Sequence, residues 1–546
     1  MKLPKPSLIG MPEKFSEWRR GQDDAVCRIL DSGKRFVALA MPTGSGKSLT
    51  YMAASLLSGR SAILTATKAL QQQIHEDFEE IGAADIRGMG NYECELTKIN
   101  RVIDKAGCGC DSGPCLSGFQ CVHQPQGCTY FDAQRYAIKQ QLMTTNYDYW
   151  MSVNGRERNT DNAAPPLGHR DMLVLDEAHE AFEQLAGFMA VEIGHWEIEG
   201  VLGKQFISGA TLDEWKEWAG AVGKVAAKIL MELDARIKVG AYEGRRDLSR
   251  RKELVGLARR LKAIETCKGQ WVNEETRDRH GRRVIKFDPV WPGEYAETAL
   301  FQGISKVVLT SATIRPKTLE LLGIPEDQYE FIDFPSYFKA DRRSVIHIPT
   351  CRVNHDIDPV VARMWVNKMD SIIRARLDRK GIIHTVSYKR ADYLRRYSEF
   401  SSRFILNNDP MFRNTAEAVQ HFRELKPSTG AIMVSPSVGT GFDFPGDDCR
   451  YQIIAKVPFP DSRSPVMQAR QERDADYFAY ITAQNLVQMA GRGMRSEDDW
   501  CETFIVDDNW QWFRSRYRNF MPTWFLGACR RSETVPEPAE QKGART

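Results

Sequence analysis

Three short stretches carry side chains whose types and spacing could do chemistry. The first, MPTGSGKS at residues 41 to 48, joins an apolar run to an apolar helical pattern, LTYMAASLL. There Gly44 and Gly46 let the backbone turn, so that Thr43, Gly44, Ser45 and Gly46 offer N–H groups to phosphates. Lys47 can then reach the β and γ phosphates and Ser48 can ligate Mg2+. Met41 stands where the GxxxxGK pattern has its first glycine. The second stretch, VLDEAH at 174 to 179, puts Asp176 at the end of an apolar strand, placed to hold Mg2+ through water. Glu177 can orient and deprotonate a water attacking the γ-phosphate, and His179 would face a domain cleft. The two stretches together imply ATP hydrolysis. The third, QMAGRGMR at 488 to 495, reads as one helix carrying Gln488, Arg492 and Arg495. Its arginines, at i and i+3, would aim two cations from a neighbouring domain at the γ-phosphate.

Cysteines form a further group. Six of the twelve fall between Cys94 and Cys128 (Cys94, Cys108, Cys110, Cys115, Cys121 and Cys128). The N-terminal MKLPKPSLIGMPEKF has prolines and charges where a signal peptide needs an apolar run, so a reducing cytosol is expected. Clustered cysteines there favour metal ligation over crosslinking. Four thiolates suit zinc or a [4Fe–4S] cluster, and chemistry alone leaves the choice open. Cys27, Cys267, Cys351, Cys449, Cys501 and Cys529 are scattered and read as small buried hydrophobes.

The elements that must position these groups alternate along the chain. Apolar, β-rich runs recur at 35–41, 61–67, 171–179 and 306–313, and again at 381–386, 430–437, 450–459 and 502–508, with helical patterns between them. Two such sets imply two α/β domains with parallel sheets. With 546 residues, 42% hydrophobic and 27% charged, the chain has ample core material, and no apolar run is long enough to span a membrane. The net charge of +3 is too small to argue for nucleic acid. Locally, residues 244–263 carry eight Lys/Arg against two Asp/Glu, with Leu254, Leu257, Leu261 and Ile264 at helical spacing: an amphipathic helix with a basic outer face.

The order of these motifs resembles superfamily 2 helicases, and within them the XPD/DinG family of iron–sulfur DNA helicases. WRRGQDDAV is similar to the family's adenine-sensing segment, which implies that role for Gln22. TATKALQQQI resembles the segment touching the nucleic-acid backbone, implicating Thr65 and Gln71. LTSATI resembles the coupling motif, with Ser311, Ala312 and Thr313. SVGTGFDFPGD is similar to the fifth motif, matching Gly441 and Asp443 and departing from it at Thr440. GNYEC and CTYF resemble the surroundings of the first and last cluster ligands, and the resemblance points to Cys94, Cys115, Cys121 and Cys128, with Cys110 as the alternative.

The organisation it implies is motor domain 1 at 1–89, 133–182 and 296–335, interrupted by a cluster insertion at 90–132 and a helical arch at 183–295. Motor domain 2 follows at 336–533, then a disordered tail at 534–546. The implied activity is 5′ to 3′ movement on single-stranded DNA and separation of tailed or forked duplex, using ATP, Mg2+ and a [4Fe–4S] cluster, by a cytoplasmic monomer from a bacterial or virus-infected cell. In that setting the basic face with Arg245, Arg246, Arg250 and Arg251 reads as a nucleic-acid surface in preference to a merely solvated one, with no single residue singled out as a contact. The rival is an ATP-hydrolysing remodelling subunit with a structural zinc and no processive unwinding.

Overall fold

The runs FVALA, SAILT and MLVLD bury every residue, as strands covered on both faces must. The computed structural model describes residues 3–99, 108–154, 165–278, 280–354, 357–439, 442, 444–493 and 499–539. Its strands, in chain order, begin with β1 (Phe36–Ala40), β2 (Ser61–Thr65), β3 (Ala84–Asp85), β4 (Leu142–Asn146) and β5 (Met172–Asp176). Then come β6 (Val191–Gly194), β7 (Trp271–Arg277), β8 (Arg283–Pro289), β9 (Lys306–Ser311) and β10 (Tyr329–Asp333). The second half supplies β11 (Val345–His347), β12 (Gly381–His384), β13 (Phe404–Leu406), β14 (Ile432–Ser435), β15 (Tyr451–Ile454), β16 (Glu502–Ile505) and β17 (Cys529–Arg531).

Two seven-stranded sheets result, ordered β10-β1-β9-β5-β2-β4-β3 and β13-β14-β12-β15-β16-β11-β17. All their pairings are parallel. The first order matters for chemistry. β9 lies between β1 and β5, with Ala40 opposite Ser311 and Asp176 opposite Thr310. Three motifs far apart in sequence therefore emerge side by side at the carboxyl ends of adjacent strands, where open α/β sheets bind ligands.

The insertion at 183–295, expected to be helical, is mixed. Its long helices, Leu212–Lys238 and Gly244–Thr266, form a hairpin around Trp215, Val222, Ala226, Leu233, Leu254, Leu257, Leu261 and Ile264. Beside them stands an antiparallel sheet, β6-β8-β7. RVIKFDP buries Ile285, Phe287 and Pro289 on one face and Val284 beside them, and the turn before it places Gly281 at φ 75°. The tail also departs from expectation. Residues 534–539 lie against the second domain, where Arg376 and Arg379 donate to the carbonyls of Pro536 and Ala539 at 3.2 and 3.1 Å. Arg376 is fully buried, so a guanidinium donor otherwise cut off from water fixes that segment. Among the described residues no helix is long and apolar enough to cross a membrane.

Candidate nucleotide site and cysteine cavity

The phosphate loop owes its shape to Gly44 and Gly46, at φ 79° and 77°. The helix Lys47–Ser58 starts directly behind them, so its N-terminal N–H groups point at the loop. The buried Ser45 hydroxyl has no partner, and an orphaned donor in such a loop suits a phosphate oxygen. Lys47 Nζ rests 3.8 Å from Glu177 Oε1, and Tyr51, one turn on, donates to Asp176 Oδ2 at 3.3 Å. Gln22 is buried against this loop. Its amide donates to the carbonyls of Ser45 and Gly46 at 3.1 and 2.9 Å, and its Oε1 accepts from the Arg19 N–H at 2.7 Å. Beside the loop Arg20 lies 4.8 Å over the Tyr337 ring, an aromatic group no sequence motif had marked.

Asp176 and Glu177 share one buried corner but differ electrically. Burial, then the neighbouring Glu177 charge, pushes the Asp176 carboxyl up to about 7. Burial would raise Glu177 too, but Lys47, His179 and Arg492 outweigh it and hold that carboxyl well below the usual range. An acid so poorly compensated fits a site for a divalent cation. Glu177 adopts φ 48°, a left-handed conformation that costs a non-glycine residue energy and turns its side chain off the strand end.

Donor counting fixes a directed chain of hydrogen bonds across the cleft. Arg492 can only donate, and its Nη2 reaches Gln488 Oε1 at 3.1 Å. The Gln488 amide nitrogen therefore faces the first domain, donating to Thr313 Oγ1 at 3.0 Å and His179 Nε2 at 3.2 Å. His179 must accept there, so its proton sits on Nδ1, 2.7 Å from Ser311 Oγ and 3.2 Å from Glu177 Oε2. Ser311 in turn donates to Glu177 Oε2 at 3.2 Å. Gln488 and Arg492 thus reach the Glu177 carboxylate through His179 and Ser311.

Some expectations change. Gln488 and Arg492 do not share a continuous helix: Tyr477–Ala490 ends at Gly491, and the GRG run turns the chain so that Arg492 follows the helix. Its guanidinium also donates to the carbonyls of Gly439 and Phe442 at 2.8 and 3.0 Å. A Cβ on Gly491 would lie 3.3 Å from Thr43 Oγ1, so this turn sits against the phosphate loop. Thr65 and Gln71 are fully buried and committed to carbonyls, Thr65 to Thr145 and Gln71 to Ile86. Thr65 braces the β2–β4 pairing and Gln71 the chain just after the edge strand β3, and neither faces solvent. Thr440, Gly441, Asp443 and Arg495 lie outside the described residues.

Cys94, Cys110, Cys115, Cys121 and Cys128 line one small cavity. A Cβ on Gly113 would stand 3.4 Å from the Cys115 sulfur and 3.6 Å from that of Cys94, so glycine keeps this cradle open. Burial pushes the thiols of Cys110 and Cys115 up to about 12 and 11. Thiolates in such a cavity need a cation beside them, so the donor set fits a metal group. Cys110 also donates to the Glu93 carbonyl at 3.3 Å, and Cys108 bonds Cys94 from outside the cavity. Among the described residues no three His, Cys, Asp or Glu side chains are grouped to hold a single ion. The basic arch residues divide: Arg251 is tied to Asp234 at 2.5 Å and to the Leu116 carbonyl at 2.7 Å, whereas Arg245, Arg246 and Arg250 are exposed.

The two parallel seven-stranded sheets, facing one another across such a cleft, match two RecA-like domains. A family model described as "Helicase C-terminal domain" matches residues 374–527, and one described as "Type III restriction enzyme, res subunit" matches 15–207. An ATP-dependent DNA helicase DinG of Photobacterium profundum is 24% identical over 257 residues, covering 44% of this chain and 36% of that protein. The chain thus spans about a third of the DinG length. A probable ATP-dependent helicase of Methanocaldococcus jannaschii is 22% identical over 91% of this chain and 92% of its own. A solved XPD helicase superposes with a TM-score of 0.61 at 14% identity, covering 94% of this chain and 99% of that one. Together these matches make the chain similar to the XPD/DinG family of superfamily 2 helicases and support its placement there.

Proposed function

We propose that this chain is an ATP-dependent DNA helicase that moves 5′ to 3′ along a single strand and separates tailed or forked duplex. The directed chain from Arg492 through Gln488, His179 and Ser311 to Glu177 carries the reading, because it makes the carboxylate's surroundings depend on where the second domain stands. Lys47 and the loop N–H groups hold the phosphates, and Glu177 takes the proton of the attacking water. Mg2+, held by Ser48 and Asp176, would screen the phosphate charge. Arg492, with Arg495, supplies positive charge from the second domain. Domain closure and opening then follow nucleotide turnover.

For the cysteine cavity we read a [4Fe–4S] cluster on Cys94, Cys115, Cys121 and Cys128. Supporting this are the shared cavity, the family resemblance and the Cys110 thiol's engagement with Glu93. When bound, such a cluster cross-links and stiffens a segment with little core of its own. Polarity follows from family resemblance.

Strand displacement on 5′-tailed and 3′-tailed duplex DNA tests the reading. We expect ATP-dependent separation of the 5′-tailed substrate alone, and Lys47→Ala or Glu177→Gln should lower DNA-stimulated hydrolysis at least about 100-fold. Separation of only the 3′-tailed duplex removes the polarity. Undiminished hydrolysis in Glu177→Gln removes its role as base.

A further inference from the structure

One side chain of the second domain grips both chain segments that root the arch insertion in the first. It is Arg470, on the helix Pro465–Arg473, and it is 3% exposed. Its Nε donates to the Val290 carbonyl at 3.0 Å and its Nη2 to that of Pro289 at 3.3 Å, where β8 leaves the arch. Its Nη1 donates to both Glu183 oxygens, at 2.9 and 3.2 Å, on the helix Ala181–Met189 by which the chain leaves VLDEAH. Nη1 also reaches the Tyr477 hydroxyl at 3.0 Å, which itself donates to Glu183 Oε1 at 2.6 Å. The Phe182 ring lies 5.0 Å beneath the guanidinium.

Neighbouring contacts extend the seam. Arg473 donates to Glu294 at 2.8 Å and lies over the Trp291 ring at 4.8 Å, and Asp474 pairs with Lys317 of the first domain at 2.7 Å. At its other end the arch hairpin holds the cysteine insertion, through Arg251 to the Leu116 carbonyl and Lys252 to Asp111.

Parting Arg470 from its partners would strand a buried guanidinium and two carbonyls, which is costly. The contacts made by Gln488 across the cleft are fewer, uncharged and only partly buried, so they yield first. Resting on the nucleotide-driven reading above, we infer that Arg470 is a positioning residue that clamps the arch root to the second domain. Movement of that domain then swings the arch against the first domain, and the hairpin carries the displacement to the cysteine insertion.

The test uses the full chain with a dye pair on non-canonical residues at Lys228, on the arch, and Glu76, on the first domain. Energy transfer is read with and without a non-hydrolysable Mg-ATP analogue, alongside duplex separated per ATP consumed. Wild type should show a nucleotide-dependent change in transfer. Arg470→Ala should lose it, keep DNA-stimulated turnover within about twofold and lower separation per ATP at least about tenfold. Arg470→Lys, which keeps the charge but not the fork, and Glu183→Gln, at a half-exposed partner, should fall between and decide the matter if the alanine variant does not fold. Wild-type transfer changes and coupling in all folded variants would overturn the clamp, as would a wild type whose transfer ignores nucleotide. A wild type that responds in transfer but separates no duplex would instead sink the helicase reading, and the loss or survival of that response in Arg470→Ala would still decide the clamp.

Discussion

His384, at the end of β12, is 1% exposed and half satisfied. The Gln452 amide nitrogen donates to the Ala490 carbonyl and Thr503 Oγ1, so its oxygen faces His384 and accepts from Nε2 at 3.1 Å. Nδ1 is left without a partner, and burial holds the imidazole down to about 4. The unfolded chain takes up this proton near 6.5 and the folded chain only near 4, so stability falls as pH drops between those values. By pH 5 the loss from this residue should reach about 2 kcal/mol. Urea unfolding at pH 7.5 and 5 should show it as a steeper acid loss in wild type than in His384→Asn; equal slopes would remove the assignment. Lys47, Asp176 and Glu177 were legible in the sequence because backbone chemistry fixes their spacing. The tautomer of His179 was not, since it follows from which way the distant Gln488 amide points. Arg470 was equally invisible: an arginine on a charged helix reads as solvated until the partners from another domain are in place.

At the scale of elements, the cysteine insertion shows where spacing stops being informative. Five thiols line the cavity and a cubane needs four, so the choice rests on what else each sulfur does. Cys110 is spoken for by Glu93, and Gly113 keeps Cys94 and Cys115 close together. Anaerobically purified protein should therefore carry iron and acid-labile sulfide near about four each per chain. Cys115→Ser should lose both along with strand separation while keeping much of the ATP turnover, and Cys110→Ser should keep both. Intact iron in Cys115→Ser would move the ligand to Cys110, and about one zinc without sulfide would withdraw the cluster. The arch hairpin was readable from its leucine period, but β6 to β8 were not, because short alternating segments among many Lys, Arg and Glu imitate helix faces. The GRG turn likewise broke a helix that the i, i+3 reading of Arg492 and Arg495 had continued.

Across the whole molecule, two parallel sheets could be foreseen from alternating apolar runs, whereas their mutual placement depends on pairs such as Arg470–Glu183 and Lys317–Asp474, joining residues remote in sequence. On the proposed reading, the same scale decides how DNA would be held. A net charge of +3 on 546 residues gives little long-range field, so attraction must come from local basic surface. Arg251 is committed to Asp234 and Leu116, leaving Arg246 and Arg250 as exposed arch residues that can meet phosphates. A motor that tolerates every sequence should bind through those phosphates, so affinity for single strands should fall linearly with salt on logarithmic axes. Each phosphate neutralised adds about 0.7 to the slope. Arg246→Ala and Arg250→Ala should each flatten it by about that amount, and changing base composition should shift affinity by less than about threefold. Fluorescence anisotropy with labelled oligonucleotides between low and moderate salt measures both quantities. An unchanged slope in the double variant would place the strand away from this face of the arch, and a strong base preference would mean that base edges, and not the backbone, are being held.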